Sequence, residues 1–456
     1  MKLTLTVFLM VFACAQPAHS FLITFTNSSE YANDNVYVWF QSGGTTYDLK
    51  IPGQTTNITQ GTSFKLSDLS TGVEANYIDA GRIYFSLGTP LATSALNAYG
   101  MPTQQPGVNP GDIGYTNRFD WIELANLNTA GDIADLSSMN QFAVPLTMQL
   151  KTNHVNLVGA GTFAGWKGNT DQQIVSALAP LASPTGSNIF FNNNQFIRVN
   201  GATSYLSLYH NTTNDTRSMY AYLDTIRSNQ TAHGSLIITG RYDATTTYAY
   251  SASIDTNGSY VLTKIGGSAT ATNILLPAVC ERPGNTTVTL AESIYESNPW
   301  YSLDGGPTNA PTSDLYKTIC RDLYAALNIG YVDSDHVIQA DETTDASLVG
   351  KHIYELNTDQ MRKLKIGFSK VNNYYNLYAD GIAELSDSYG YAYSDWNENL
   401  SKVAVKPNAI HNGQIADELN ITIYGSQTLS IPEPSSGILC LVGAGAAFLF
   451  ARRRRK

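Results

Sequence analysis

The sequence of 456 residues predicts an α+β fold that is rich in β-strands. Aromatic residues make up 11% of the chain and charged residues only 14%, a composition typical of folded proteins rather than disordered ones. Short segments of aromatic and β-branched residues fill the first 150 positions, and helical patterns begin only after residue 170. An all-β start followed by mixed elements predicts the α+β class.

The strands of the first half are predicted from aromatic and β-branched residues bounded by Gly, Pro and Asn. They cover residues 21–25, 36–40, 81–88, 118–125 and 142–150. The first two are expected to pair with each other across a turn rich in Asn, Ser and Asp. Their irregular spacing, without a fixed repeat, favours a barrel or sandwich over a propeller.

Three later segments carry apolar residues at helical spacing. They are residues 171–182, 213–229 and 312–330. The third is the clearest, because apolar residues from Leu315 to Leu327 fall on one face and Gly330 marks a stop. Alternating Thr, Tyr and apolar residues at 232–264 predict an antiparallel ribbon.

Residues 1–20 are expected to form a secretory signal peptide. Lys2 precedes an apolar stretch, and a small-x-small motif ends at Ser20. We expect cleavage before Phe21. A lipoprotein signal at Cys14 is the alternative, although the bulky Phe12 disfavours it.

The C-terminus combines Pro432-Glu433-Pro434, an apolar segment at 437–451 and an Arg run, which together resemble the PEP-CTERM sorting signal. We assign this signal to residues 432–456 and a linker to 427–431. The resemblance implies export in a Gram-negative bacterium, transient inner-membrane anchoring, trimming by an exosortase, and delivery to the cell surface or extracellular matrix. An ordinary tail anchor is the alternative, since 15 residues is shorter than the roughly 20 of a transmembrane helix.

The charge of the mature chain is acidic. Removing both ends leaves 21 Lys and Arg against 36 Asp and Glu, a net charge of about −15. Nucleic-acid binding depends on basic patches, so this balance argues against a nucleic-acid partner and favours a neutral polymer.

Two cysteines, Cys280 and Cys320, remain between the removable ends. In an oxidising compartment an even pair is expected to form a disulfide, and two buried thiols are the alternative. The sequence has no CxxC motif and no His cluster, so neither a metal nor another cofactor is expected.

A candidate catalytic acid lies in the segment DWIELA. Strand alternation places Glu123 and Trp121 on one face and Asp120 on the other. Glycoside hydrolysis needs one carboxyl that donates a proton and a second that activates water or attacks the sugar. A Glu on the exposed face of an edge strand is the alternative interpretation.

Six ordered blocks resemble glycoside hydrolase family 64, the β-1,3-glucanases. They are FLITFTNSSEYANDNVYVWF, GRIYFSLGTPL, FDWIEL, SSMNQFAVPL, ICRDLYAALNIG and YNLYADGIAELSDSYGYAYSDW. The resemblance implies one two-lobed domain over residues 21–426, in which a thaumatin-like β-barrel lobe and a mixed α/β lobe form a wide cleft. It also implies inverting hydrolysis of β-1,3-glucan.

The resemblance assigns roles to individual residues. Glu123 matches the general acid of the family, and Asp120 matches the leading Asp of the same motif, which we place among the substrate-binding residues. The position of the base holds Asn140, and an amide cannot take a proton from water at neutral pH. Asp135 is our alternative base. Asp395 matches an Asp of the second lobe and is expected to line the cleft.

Two functions remain open from the sequence. The first is an exported β-1,3-glucan hydrolase, impaired by Asn140 unless another base acts. The second is a non-catalytic glucan-binding surface protein that stacks sugars on aromatic side chains. Those side chains are Trp121, Tyr391, Tyr393 and Trp396. A structural surface protein whose cleft is filled by loops is a third possibility.

Overall fold

The structure is a computed structural model, and it describes most of the chain between residues 21 and 425. The described ranges are 21–168, 170–182, 187–205, 208–209, 219–282, 286–296, 298–307, 313–330, 337–365, 376–391 and 404–425. The predicted signal peptide, linker and sorting segment lie outside them, and the domain boundaries stay a prediction.

The strands are numbered in chain order. They are β1 (Phe21–Ser28), β2 (Val36–Gln41), β3 (Tyr47–Lys50), β4 (Ser63–Lys65), β5 (Val73–Leu87), β6 (Arg118–Asn126), β7 (Ile133–Leu136), β8 (Gln141–Phe142), β9 (Leu146–Thr152), β10 (Val155–Asn156), β11 (Phe163–Gly165), β12 (Ile189–Asn192), β13 (Gln195–Asn200), β14 (Leu236–Arg241), β15 (Thr247–Ile254), β16 (Tyr260–Gly267), β17 (Asn273–Leu276), β18 (Val279–Arg282), β19 (Thr286–Thr289), β20 (Ser302–Leu303), β21 (Ala404–Val405) and β22 (Glu418–Tyr424).

The α-helices follow the same convention. They are α1 (Asp171–Leu178), α2 (Met219–His233), α3 (Leu290–Glu296), α4 (Asp314–Ile329), α5 (Thr358–Met361) and α6 (Leu377–Leu385).

A curled sheet of 12 strands forms the half of the molecule that we call the barrel lobe. Its main path runs β10-β9-β22-β1-β5-β6-β7-β21. The 15-residue strand β5 spans the curl, because its first part pairs with β1 and β3 and its last part with β2 and β6. The register shifts between Ile78 and Gly81, and a Cβ at Gly81 would lie 2.1 Å from the Ile78 side chain. A glycine is therefore required at this irregularity.

The predicted pairing of the first two strands is wrong. β1 pairs with β5 on one side and, in parallel, with the last strand β22 on the other. β2 pairs with β4 and β5 instead. Both β1 and β2 pair with β5 rather than with each other. Proximity in sequence therefore did not decide which strands are neighbours.

The second half, which we call the helical lobe, contains the helices and three smaller sheets. A five-stranded antiparallel sheet, β14-β15-β16-β17-β20, includes the ribbon predicted at 232–264. The three predicted helices are confirmed in α1, α2 and α4. Helix α4 buries Ile319, Leu323 and Leu327 and ends at Gly330, whose φ of 108° is readily available only to glycine.

Each lobe has its own apolar core. The barrel-lobe core lies inside the curl and includes Ile23, Phe85 and Ile122, while α4 and the five-stranded sheet dominate the core of the helical lobe. The β-rich α+β prediction is confirmed by this architecture. Among the described residues no helix is long and apolar enough to cross a membrane, and the apolar segment at 437–451 lies outside them.

Candidate active site

The candidate acid Glu123 stands in a row of side chains that crosses the sheet. Antiparallel register places Gln41 of β2 opposite Arg82 of β5, Arg82 opposite Glu123 of β6, and Glu123 opposite Asp135 of β7. Directly opposed residues point to the same face of a sheet. The pairing therefore gathers one cation and two carboxylates on one surface.

Arg82 holds the carboxylate of Glu123 through two nitrogens. Its Nε donates to Glu123 Oε1 at 3.1 Å, and its second guanidinium nitrogen lies 3.0 Å from the same oxygen. The Trp121 indole also donates to Oε1, at 3.4 Å. Burial lowers the pKa of the Arg82 guanidinium, but the neighbouring Tyr84 and Glu123 outweigh it and the net shift is upward.

Glu123 and Asp135 both line an open cleft with a volume of about 410 Å³. The Glu123 side chain is 35% exposed, so solvent and ligand reach it. Arg82 and Gln105 form part of the wall, and Arg82 also donates to the Gln105 amide oxygen at 3.2 Å. In this cleft Glu123 lies directly opposite a second carboxylate, Asp135, across the pair of strands β6 and β7.

Asn140, at the position of the family base, lies in the turn between β7 and β8. Its backbone oxygen accepts a hydrogen bond from the Gly201 amide at 2.8 Å, and its side chain is half-buried. A Cβ at Gly201 would lie 2.1 Å from the Met139 oxygen, so this approach of two loops needs glycine. Asn140 is not among the residues that line the 410 Å³ cleft.

Asp120 is buried rather than open to a substrate, which corrects its expected role in substrate binding. Its Oδ2 accepts hydrogen bonds from the amides of Ala143, at 2.7 Å, and Val144, at 3.0 Å. Burial raises the pKa of Asp120 to about 8, against the opposing effect of these bonds and of Gln141 and Arg118. Asp120 fixes the backbone that follows β8.

The aromatic residues expected to stack on sugars are buried where the structure describes them. Trp121 is only 4% exposed and packs with Trp39, Tyr84 and Phe119 beneath the loop at 88–117. Tyr391 is fully buried in the core of the helical lobe. These rings offer no open face, which corrects the expectation. Tyr393, Asp395 and Trp396 lie outside the described residues.

The expected disulfide between Cys280 and Cys320 does not form, and both residues are thiols. Cys320 is fully buried on α4, where burial raises the pKa of its thiol. Cys280 lies on the separate ribbon β18-β19, opposite Val288. The helix places Cys320 in the core of the helical lobe. No cluster of three or more His, Cys, Asp or Glu within the described ranges is arranged to hold a metal ion.

The register between β5 and β6 decides the composition of this site. Arg82 was missed from the sequence because nothing in GRIYFSLG fixes which residue faces Glu123. An arginine inside an alternating aromatic strand was the available signal, since a charge on the face of a predicted strand needs a partner.

Family models match most of the sequence. A family model described as Beta-1,3-glucanase, glycoside hydrolase family 64, matches residues 19–409, and a PEP-CTERM protein-sorting motif matches residues 430–456. No curated protein matches the sequence.

Solved structures with a similar fold include two β-1,3-glucanases. A β-1,3-glucanase domain from Clostridium beijerinckii has a TM-score of 0.57 at 17% identity, over 90% of this chain and 99% of the other. A laminaripentaose-producing β-1,3-glucanase in complex with laminaritetraose has a TM-score of 0.54 at 15% identity, over 90% and 99%. At these identities the likeness shows the fold.

Proposed function

Because this chain belongs to glycoside hydrolase family 64, the β-1,3-glucanases, we propose that it is an exported β-1,3-glucan hydrolase that uses Glu123 and Asp135. Glu123 in its protonated form donates a proton to the glycosidic oxygen, and Arg82 stabilises the carboxylate that the transfer leaves. Asp135 accepts a proton from the water that attacks the sugar. The two residues thereby fill the acid and base roles that the reaction needs.

The observation that supports this proposal most directly is the cross-strand position of the two carboxylates. Glu123 and Asp135 are register partners on β6 and β7, and both line the open cleft. Directly opposed residues have Cβ atoms about 4.5–5.5 Å apart. Both side chains therefore reach one bound sugar unit.

Arg82 fixes the position of the Glu123 carboxyl relative to Asp135. Inverting glycosidases need about 6.5–9.5 Å between their carboxyl groups, to leave room for water. Arg82 binds Glu123 Oε1 from β5, the strand on the side opposite Asp135. This contact holds the Glu123 carboxyl from the side of β5, and Asp135 approaches it from the side of β7.

The same contact leaves one oxygen of Glu123 available for the proton. Arg82 and Trp121 both donate to Oε1. Oε2 has no hydrogen-bond partner in the described part of the chain, and we assign it as the atom that transfers the proton. Asp135 takes the role that Asn140 cannot perform, because the Asn140 amide is not a base at neutral pH.

A second function, glucan binding without hydrolysis, is favoured by Asn140 itself. Loss of a catalytic base costs orders of magnitude in rate while the sugar-binding surface persists. In this case the cleft serves attachment to a polysaccharide.

The PEP-CTERM motif indicates export and sorting to the cell surface. We propose the remaining steps from the motif and the predicted signal peptide. They are cleavage before Phe21, transient anchoring in the inner membrane of a Gram-negative cell, trimming by an exosortase, and a final place at the surface or in the matrix.

The test is release of oligosaccharides from laminarin or curdlan by the purified exported protein. Glu123→Gln and Asp135→Asn are expected to abolish release, whereas Asp48→Asn is a matched control on β3, outside the cleft, with a side chain 34% exposed. An active parent and an active Asp135→Asn variant would assign the base elsewhere. A silent parent that Asn140→Asp activates would establish the binding protein.

A further inference from the structure

A small cavity lies beside β6 at Asp120, whose side chain points to the face opposite Glu123. Its volume is about 10 Å³. Residues from both lobes line it, and they are Asp120, Trp121, Leu136, Ser137, Ser138, Phe142, Val144, Leu146, Ser386 and Ser388. Four serines and one aspartate make this interior surface unusually polar for its depth.

Two polar atoms in the wall of this cavity lack protein partners. Asp120 Oδ1 and Ser137 Oγ are both buried, and neither forms a hydrogen bond within the described ranges. Asp120 and Ser137 are each only 3% exposed. Buried polar groups in native proteins are nearly always hydrogen-bonded to protein or to ordered water, so these two atoms call for a partner.

The cavity has the size that one water molecule needs. A site holds a water when its volume reaches about 10–15 Å³ and two to four polar groups surround it. The Asp120 and Ser137 atoms supply two such groups, and the serine hydroxyls of the helical lobe lie on the wall. A larger ligand has no room.

We propose that this cavity binds one ordered water molecule, which bridges Asp120 Oδ1 and Ser137 Oγ at the junction of the two lobes. The bridge adds to protein contacts at the same junction. Ser138 and Ser388 are hydrogen-bonded through their hydroxyls at 2.8 Å, and the Ser138 amide donates to the Tyr389 oxygen at 2.9 Å.

The protonation of Asp120 fits a water rather than a cation. Burial raises the pKa of Asp120 to about 8, so the carboxyl is mostly protonated at neutral pH. A protonated Oδ1 donates to the water, and the water donates to Ser137 Oγ. A cation would instead require the ionised carboxylate and several more oxygen ligands.

The bound water would position the strand that carries Glu123. Asp120 and Glu123 belong to the same strand, and Ser137 follows Asp135 by two residues. The strands that carry Glu123 and Asp135 are therefore both connected to this junction. The inference stands whether or not the protein hydrolyses glucan.

A high-resolution crystal structure of the exported protein tests the proposal directly. We expect a density peak in the cavity with oxygen neighbours at about 2.7–3.0 Å, including Asp120 and Ser137. An empty cavity would overturn the proposal. Oxygen ligands at about 2.4 Å would also overturn it, because such distances identify a metal cation.

Two substitutions at Ser137 give an independent test. The sign of the change in Tm shows whether the water is present. Ser137→Ala removes one partner of the water, and Ser137→Val also fills the space. If the water is present, both lower Tm, by about 2–4 °C for the alanine variant. If the cavity is dry, Ser137→Ala raises Tm, because an unpaired hydroxyl is replaced by an apolar atom, and the sign for this variant decides. Ser137→Ala alone suffices should the valine variant fail to fold.

Discussion

Glu123 and Asp120 stand three positions apart on β6, one facing the open cleft and one facing the buried junction between the lobes. Glu123 is partly exposed, paired with Arg82, and opposed by Asp135. Asp120 is buried, bonded to two backbone amides, and has a pKa raised to about 8. The same functional group serves chemistry on one face of the strand and structure on the other. The surroundings of each carboxyl, rather than its presence in a motif, assign its role.

The largest effect is expected from Glu123→Gln. It should lower glucan hydrolysis by about 10³–10⁴-fold, because the amide cannot donate the required proton. Asp120→Asn on the buried face should leave most activity, since its amide oxygen still accepts from Ala143 and Val144. Initial rates on laminarin measure both. Equal losses of activity in the two variants would contradict the assignment of catalysis to Glu123 and of a structural role to Asp120.

Asp135→Asn comes next, with an expected loss of about 10²–10³-fold in kcat. The substitution keeps the shape of the side chain and removes the base opposite Glu123. Binding of laminarioligosaccharides, measured by calorimetry, should change little. Unchanged kcat in this variant would show that Asp135 is not the base. Glu123 would then be the only carboxylate of this pair that takes part in the reaction.

The buried carboxyl of Asp120 predicts a pH dependence of stability. The pKa of Asp120 in the folded state, about 8, lies above its ordinary value of 3.8, so the native state binds more protons between these values. The stability from Asp120 is therefore complete below about pH 4 and is lost as the pH rises toward 8. Each pKa unit corresponds to about 1.4 kcal/mol, which gives an effect on the order of a few kcal/mol.

Asp120→Asn should flatten this dependence, because the amide resembles the protonated acid and does not titrate. Denaturant unfolding between pH 4 and pH 8 measures the free energy of unfolding. Asp132→Asn is the matched control, since Asp132 is equally buried but both its oxygens accept hydrogen bonds. That variant should lose stability while the slope contributed by Asp120 persists. A parent whose stability does not fall over this range would contradict the assignment.

The smallest effect is expected from Arg82→Lys, with a fall of about tenfold in kcat. Lysine keeps the positive charge but cannot contact Glu123 Oε1 through two nitrogens. The Glu123 carboxyl is therefore positioned less precisely. Arg227→Lys is the control, because Arg227 forms an exposed ion pair with Asp224 away from the cleft. An effect on KM alone would assign Arg82 to glucan binding rather than to positioning Glu123.

Local patterns in the sequence predicted the faces of β6 correctly. Alternation separated Asp120 from Glu123, and helical spacing identified α4 together with its stop at Gly330. These features depend on a few neighbouring residues, whose periodicity is visible in one dimension.

Features that depend on register or on long loops were not predictable. The partnership of Arg82 with Glu123 follows from how β5 lies against β6. The burial of Trp121 follows from residues at 88–117, which cover it. The expected Cys280–Cys320 bond failed because an even count of cysteines carries no information about distance.

The parallel pairing of β1 with β22 has a consequence for how the molecule is made. Leu22 is the register partner of Glu418, so a contact in the middle of the main sheet joins residues almost 400 positions apart. Closing so long a loop is entropically costly, and chains with many such contacts fold slowly. The sheet cannot be completed until the last strand has been synthesised, because β1 lacks its parallel neighbour until then. Topology alone thereby places completion of the main sheet at the end of chain synthesis.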